Sequence, residues 1–288
     1  MSDVFTLSDT GDFFVSTSVQ NTFNENGYVI VRGLITKDEI TKVKDCIEQS
    51  EDIKANAFGR ADANGRTSRL CVWNRAGNDV SGILARIQKV AGTMQQLLGG
   101  DEIYHYHSKL MMKEARTGGA FVWHQDYGYW YNNGCMLPEM GSIFIPIDKC
   151  VKENGCLQVL KGSHKMGRIG HALTGDQAGA DLERVGMAKT LFELVHVELD
   201  PGDVLFFHCN LLHTSSQNNS DLRRYVIITS VNKRKNNPLQ EHHHPQYHPL
   251  KMLPNSALLE CDLFTSTEDK GFMDPTEDAS HKIKNLKS

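Results

Sequence analysis

Residues 121–126 read Phe121-Val122-Trp123-His124-Gln125-Asp126, and the period of that stretch decides the fold. Aromatic and β-branched residues dominate its first half, which is the composition of a strand. Side chains alternate along a strand, so His124 and Asp126 are expected on one face. Working outward, strand-like character recurs at 103–113, 121–127, 141–147, 156–160, 190–199, 203–207 and 223–232, parted by Gly, Pro, Asn and Asp turns. Before residue 100 the period differs. Gly27 to Gly33 reads as an opening strand. Thr36-Lys37-Asp38-Glu39 then fits a capping box ahead of Ile40, Val43 and Ile47. Residues 50–70 read as a polar loop. Ile83, Ile87, Val90 and Met94 mark a second helix, closed by Gly99-Gly100. Two helices followed by many short strands predict a mainly β core with flanking helices on its outside.

The chain of 288 residues fits one domain spanning 1–288. Its parts are a helical region of about 1–100, a β core of about 101–235 and an extension of about 236–288 that is polar, His-rich and expected to be loosely held. With 31 basic against 35 acidic residues, the formal charge of −4 argues against a nucleic-acid partner. No apolar run approaches the roughly 20 residues that cross a bilayer, so no membrane partner is expected. Met1 to Thr6 lacks the basic and apolar regions of a secretory signal. Seven scattered cysteines without a CxxC read as reduced structural thiols, and the expected location is cytoplasmic. Oligomeric state is not set by these features.

A second motif accompanies the first. Pro201-Gly202-Asp203 opens an apolar strand ending at His208, followed by Leu211-Leu212-His213-Thr214. His124 and Asp126 supply two ligands of a facial metal site, and His213 can supply the third. His208, at an odd offset from His213, would face the other way on one continuous strand. Two histidines and one carboxylate leave three coordination positions open. That suits non-haem Fe(II) binding a bidentate co-substrate and O2 together. Arg224 lies eleven residues after His213. Its forked charge suits the far carboxylate of a dicarboxylate whose keto-acid end chelates the metal. Arg223 should point to the opposite face of the same strand. Around the motif, alternation sends Tyr127, Tyr129 and Tyr131 to one face and Trp130 to the other. Trp123, Tyr127, Trp130 and Tyr131 are therefore candidate substrate contacts, and such a lining favours a cationic or zwitterionic amine. His242-His243-His244 reads as a solvated loop with no catalytic meaning.

Four stretches together resemble the phytanoyl-CoA dioxygenase family of Fe(II)/2-oxoglutarate oxygenases, and within it the ectoine hydroxylase branch. They are Asn26 to Leu34, FVWHQDYGYWYNNGCMLP from Phe121 to Pro138, Glu153 to His164, and His213 to Arg224. The resemblance implies a double-stranded β-helix (a jelly-roll, cupin-like core), with His124, Asp126 and His213 on iron and Arg224 on 2-oxoglutarate. It also aligns 103–113 with a strand lining the cofactor pocket, which makes His107 and Lys109 candidate cofactor contacts. The implied cofactors are Fe(2+), 2-oxoglutarate and O2. The implied reaction is hydroxylation of a C–H bond in a small molecule, with release of succinate and CO2. Three departures stand out. Asn132-Asn133 replaces an acidic pair, the following Gly134–Pro138 segment is one residue longer, and Lys161 replaces a proline. These argue against ectoine as substrate. Asp126 itself argues against the related halogenases, which carry a small residue there. Desaturation, epimerisation, ring closure or another oxidation of an acyl-CoA or metabolite at the same iron, a non-catalytic jelly-roll metal- or ligand-binding protein, and a zinc or manganese hydrolase are the alternatives.

Overall fold

Alternation that buries apolar residues on both faces produces a strand sandwiched between two layers, and several segments here follow that pattern. The computed structural model describes residues 2–8, 11–174, 177–266 and 270–276. Among them are strands β1 (Val4–Thr6), β2 (Tyr28–Arg32), β3 (Phe58–Ala61), β4 (Thr67–Trp73), β5 (Ile103–Lys113), β6 (Phe121–His124) and β7 (Met140–Pro146). Next come β8 (Leu157–Leu160), β9 (His171–Thr174), β10 (Gln177–Ala180), β11 (Leu194–Val197), β12 (Val204–His208), β13 (His213–Ser215) and β14 (Arg224–Lys233). A large sheet runs β1-β2-β12-β7-β14-β5-β4-β3, and a smaller one runs β11-β8-β13-β6. Only the β1–β2 pair in these two sheets is parallel. The two sheets face each other as a jelly roll, as expected.

The large sheet sorts its side chains by parity. Ile30, Phe144, Leu205, Phe207, Val226 and Ile228 point inward and meet Leu157 and Val159 of the small sheet. Val29, Val31, Ile143, Ile145, Val204, Phe206 and Ile227 point outward against the helices. The helix Lys37–Gln49 starts at the expected capping box: Glu39 N–H donates to Thr36 Oγ1, and Thr36 N–H donates to Glu39 Oε2. Its buried stripe is Ile40, Val43, Cys46 and Ile47.

Four expectations are corrected. Residues 50–70 are not a loop: the helix Glu51–Ala55 leads into the β3–β4 hairpin, which extends the large sheet. Polar Ser68 and Arg69 hid that strand's apolar alternation, which begins only at Leu70. The second helix breaks into Val80–Leu84, a π turn at Gln88–Gly92 and Thr93–Leu97, because Ile87 is extended. Within 190–199 only Leu194–Val197 is strand, since the helix Leu182–Leu191 occupies the start. The C-terminal extension is not loose where it is described. Leu258 is buried in the outer core, and buried Lys270 ion-pairs with Asp79 at 3.0 Å. Residues 277–288 lie outside the described residues.

Candidate metal centre

Hydrogen bonding across the small sheet puts two imidazoles side by side. His124, at the end of β6, is the register partner of His213 at the start of β13, and their ring centroids lie 4.0 Å apart. Each Nδ1 reaches a backbone carbonyl two residues earlier, Val122 O at 2.7 Å and Leu211 O at 2.9 Å. A carbonyl only accepts, so each Nδ1 carries the hydrogen and each Nε2 presents a lone pair. Asp126 Oδ1 lies 4.0 Å from His124 Nε2 and 3.8 Å from His213 Nε2. All three donor groups fall within 4.8 Å of one another and are buried. Burial, reinforced by His213, pushes the His124 imidazole well below its usual pKa. Burial also lowers His213, although the Asp126 carboxylate opposes it. Two neutral nitrogens and one carboxylate oxygen are the donor set that Fe(II) takes in a facial site, so these residues fit the metal.

Asp126 does not arrive there by strand alternation. β6 stops at His124, and Asp126 has helical torsions (φ −57°, ψ −40°) at the head of the one-turn helix Tyr127–Trp130. Helical spacing then governs the residues after it. Asp126, Tyr129, Trp130 and Asn133, at i, i+3, i+4 and i+7, line one cavity together with His107 and Lys109 of β5. Of the four candidate substrate aromatics, only Trp130 is in that lining. Trp123 packs under Lys189, Tyr131 lies under Arg168, and Tyr127 packs edge-on to Tyr131. The turn is braced from behind. Gln125 N–H donates to His171 Nε2 at 2.9 Å, and a Cβ on Gly128 would sit 2.2 Å from that same ring.

Sequence reasoning missed two supports. Ser142 Oγ donates to Asp126 Oδ2 at 2.8 Å and meets Ser230 Oγ at 3.1 Å across β7 and β14. A serine at an inward position of an apolar strand was the available signal. The other is Lys113, directly opposite Arg224 in the β5–β14 register. Both cations are almost completely buried, and neither has a carboxylate within 4 Å among the described residues. Among the described residues, Lys113 donates only to the carbonyls of Ser215 and Ser216, while Arg224 Nε and Nη2 have no hydrogen-bond partner. Burial lowers the pKa of both. Two buried cations without an anion fit the far carboxylate of a dicarboxylate. Arg223 points outward, as alternation predicts, to Asp148 at 3.0 Å and to Glu48. His208 sits on β12 beside His164, away from the triad.

The triad, the cavity and the buried cations lie within or close to the span matched by the model for Phytanoyl-CoA dioxygenase (PhyH), residues 23–226. The chain belongs to the phytanoyl-CoA dioxygenase family. Among relatives of this family member, L-proline trans-4-hydroxylase of Streptomyces griseoviridis is 33% identical over 177 residues, covering 56% of this chain and 66% of the relative. Ectoine dioxygenase of Sphingopyxis alaskensis is 25% identical over 255 residues, 80% of each chain. The crystal structure of EctD from S. alaskensis with 2-oxoglutarate and 5-hydroxyectoine superposes with a TM-score of 0.69 at 21% identity, covering 86% of this chain and 91% of that one. This family member is a non-haem Fe(II)- and 2-oxoglutarate-dependent dioxygenase that uses O2 as co-substrate. Among its described residues, no helix is long and apolar enough to cross a membrane.

Proposed function

We propose that this enzyme hydroxylates a C–H bond of a small zwitterionic molecule of amino-acid type, with His124, Asp126 and His213 holding Fe(II) and Arg224 holding 2-oxoglutarate. The observation that carries the site assignment is the pairing of two neutral imidazoles and the Asp126 carboxylate with a buried arginine that has no carboxylate partner among the described residues, in one barrel interior. Phe207 links the two regions: it packs against the His213 ring at 5.1 Å and joins the same inner cluster as Cys150 and Cys156, which flank Arg224. The substrate class rests on the relatives, which are named for L-proline and ectoine, and on a cavity edged by Trp130, Tyr129 and Lys109.

When bound, Fe(II) with 2-oxoglutarate and O2 supplies the oxidising power for C–H cleavage, leaving succinate and CO2. The chain supplies geometry. The carbonyls of Val122 and Leu211 hold both imidazoles with Nε2 toward the metal position. Ser142 fixes one carboxylate oxygen of Asp126 and leaves the other facing the histidines. Arg224 and Lys113 orient the co-substrate from its far end, and the packed inner faces of both sheets exclude water. All seven cysteines are free, which supports a reducing, cytoplasmic setting for a single-domain enzyme. Product analysis with L-proline and related amino acids tests this reading. Hydroxylation adds one oxygen to the substrate for each succinate formed. Loss of two hydrogens would overturn hydroxylation, and no substrate-stimulated succinate with any zwitterion would overturn the substrate class.

A further inference from the structure

The three histidines expected in a solvated loop are folded over the active cavity. His244 is buried, stacked on His107 at 4.6 Å and 20°, and packed against Tyr106 at 4.7 Å. Both His244 and His243 line the cavity that contains Asp126. Asn74, just beyond β4, ties this segment down with two hydrogen bonds. Its Nδ2 lies 2.6 Å from His243 O, and its Oδ1 lies 3.0 Å from His244 Nδ1.

Those contacts settle the proton positions on His244. A backbone carbonyl only accepts, so the amide nitrogen of Asn74 must face His243 O, which leaves Oδ1 facing the ring. An amide oxygen only accepts, so His244 Nδ1 carries the hydrogen. Nε2 is then a lone-pair acceptor, and it has no hydrogen-bond partner among the described residues. Lys109 shares the cavity, and it too has no hydrogen bond or ion pair among the described residues. One open acceptor and one open cation complement a molecule that carries an N–H donor and a carboxylate.

We propose that His244 is a specificity-determining residue whose Nε2 accepts a hydrogen bond from a primary or secondary ammonium N–H of the substrate, with Asn74 as the positioning residue that fixes its tautomer. This rests on the zwitterionic-substrate reading of the active cavity. It adds that the C-terminal extension, not the barrel alone, reads the substrate nitrogen.

The test is calorimetric binding to the anaerobic Fe(II)/2-oxoglutarate enzyme. The probes are L-proline and its N,N-dimethyl betaine, which keeps the charges and lacks N–H. A charge-assisted hydrogen bond predicts that wild type binds L-proline about 10- to 100-fold tighter than the betaine. His244→Phe keeps the ring stack without the acceptor and should lose that preference while still binding the betaine. His244→Gln, which restores an acceptor, should regain part of it, and Asn74→Leu should weaken it. An undiminished preference in His244→Phe, or equal binding of both probes by wild type, overturns the proposal and leaves the substrate class standing. Loss of both probes by His244→Phe while Asn74→Leu keeps the full preference also overturns it. A wild type that binds neither probe overturns the zwitterion reading and this inference with it.

Discussion

At the scale of single residues, the cluster of His124, Asp126 and His213 proposed to hold the metal was legible and its supports were not. His124, Asp126 and His213 stand out because their types and order suit one donor set. Ser142 does not, because a serine in an apolar strand announces no partner. Its hydrogen bond to Asp126 nonetheless fixes which carboxylate oxygen faces the imidazoles. Ser142→Ala should therefore weaken Fe(II) binding about 10-fold or more without unfolding the protein, as anaerobic iron titration would measure. Unchanged affinity would make Ser142 a packing residue only. The adjacent arginines offer a sharper contrast. Arg224→Lys replaces a buried fork with a point charge and should raise the KM for 2-oxoglutarate about 10-fold or more. Arg223→Lys, on a partly exposed ion pair, should change it less than about twofold. Equal effects would overturn the assignment of the inward arginine. Strand parity alone separated these two, since β14 holds its alternation from Arg224 onward.

At the scale of elements, parity worked only where the strand continued. It correctly separates the inner and outer faces of β2, β7, β12 and β14. It fails after His124, because the chain enters a helical turn within two residues and the period changes from two to 3.6. His124 and Asp126 still converge, but for a different reason from the expected one. The turn selects Trp130 for the cavity and sends Tyr131 to the surface side. Trp130→Ala should accordingly raise substrate KM about 10-fold or more, while Tyr131→Ala should leave it nearly unchanged. Steady-state kinetics on any accepted substrate would decide, and the reverse order would show that the strand pattern extends through residue 131. Gly128 tests the same turn differently. Alanine there would drive its Cβ into the His171 ring and displace the segment that carries Asp126. Gly128→Ala should cost coupled turnover even if the protein remains folded by circular dichroism.

At the scale of the whole molecule, burial governs how several of the thirteen histidines titrate. Burial holds His105 and His208 at about 3, and His171 and His242 at about 4. In an unfolded chain each would titrate near 6.5. Between those values the unfolded chain takes up protons that the fold refuses. Stability is therefore full above about pH 6.5 and falls as pH drops below it. The urea midpoint should be lower at about pH 5.5 than at about pH 7.5, and a higher midpoint at the acid pH would contradict this account. The C-terminal extension was illegible for a related reason. Its polar composition reads as solvated, yet Asn74, Tyr106 and His107 supply the partners that bury His244. Those partners lie more than a hundred residues away in the chain, where local composition carries no information about them. The central claim is that one His–Asp–His cluster holds the iron, and anaerobic Fe(II) titration in the presence of 2-oxoglutarate tests it most directly. One equivalent per chain is predicted for wild type, with binding lost in His124→Ala and His213→Ala variants of native circular dichroism. Full stoichiometric binding by both variants would contradict it.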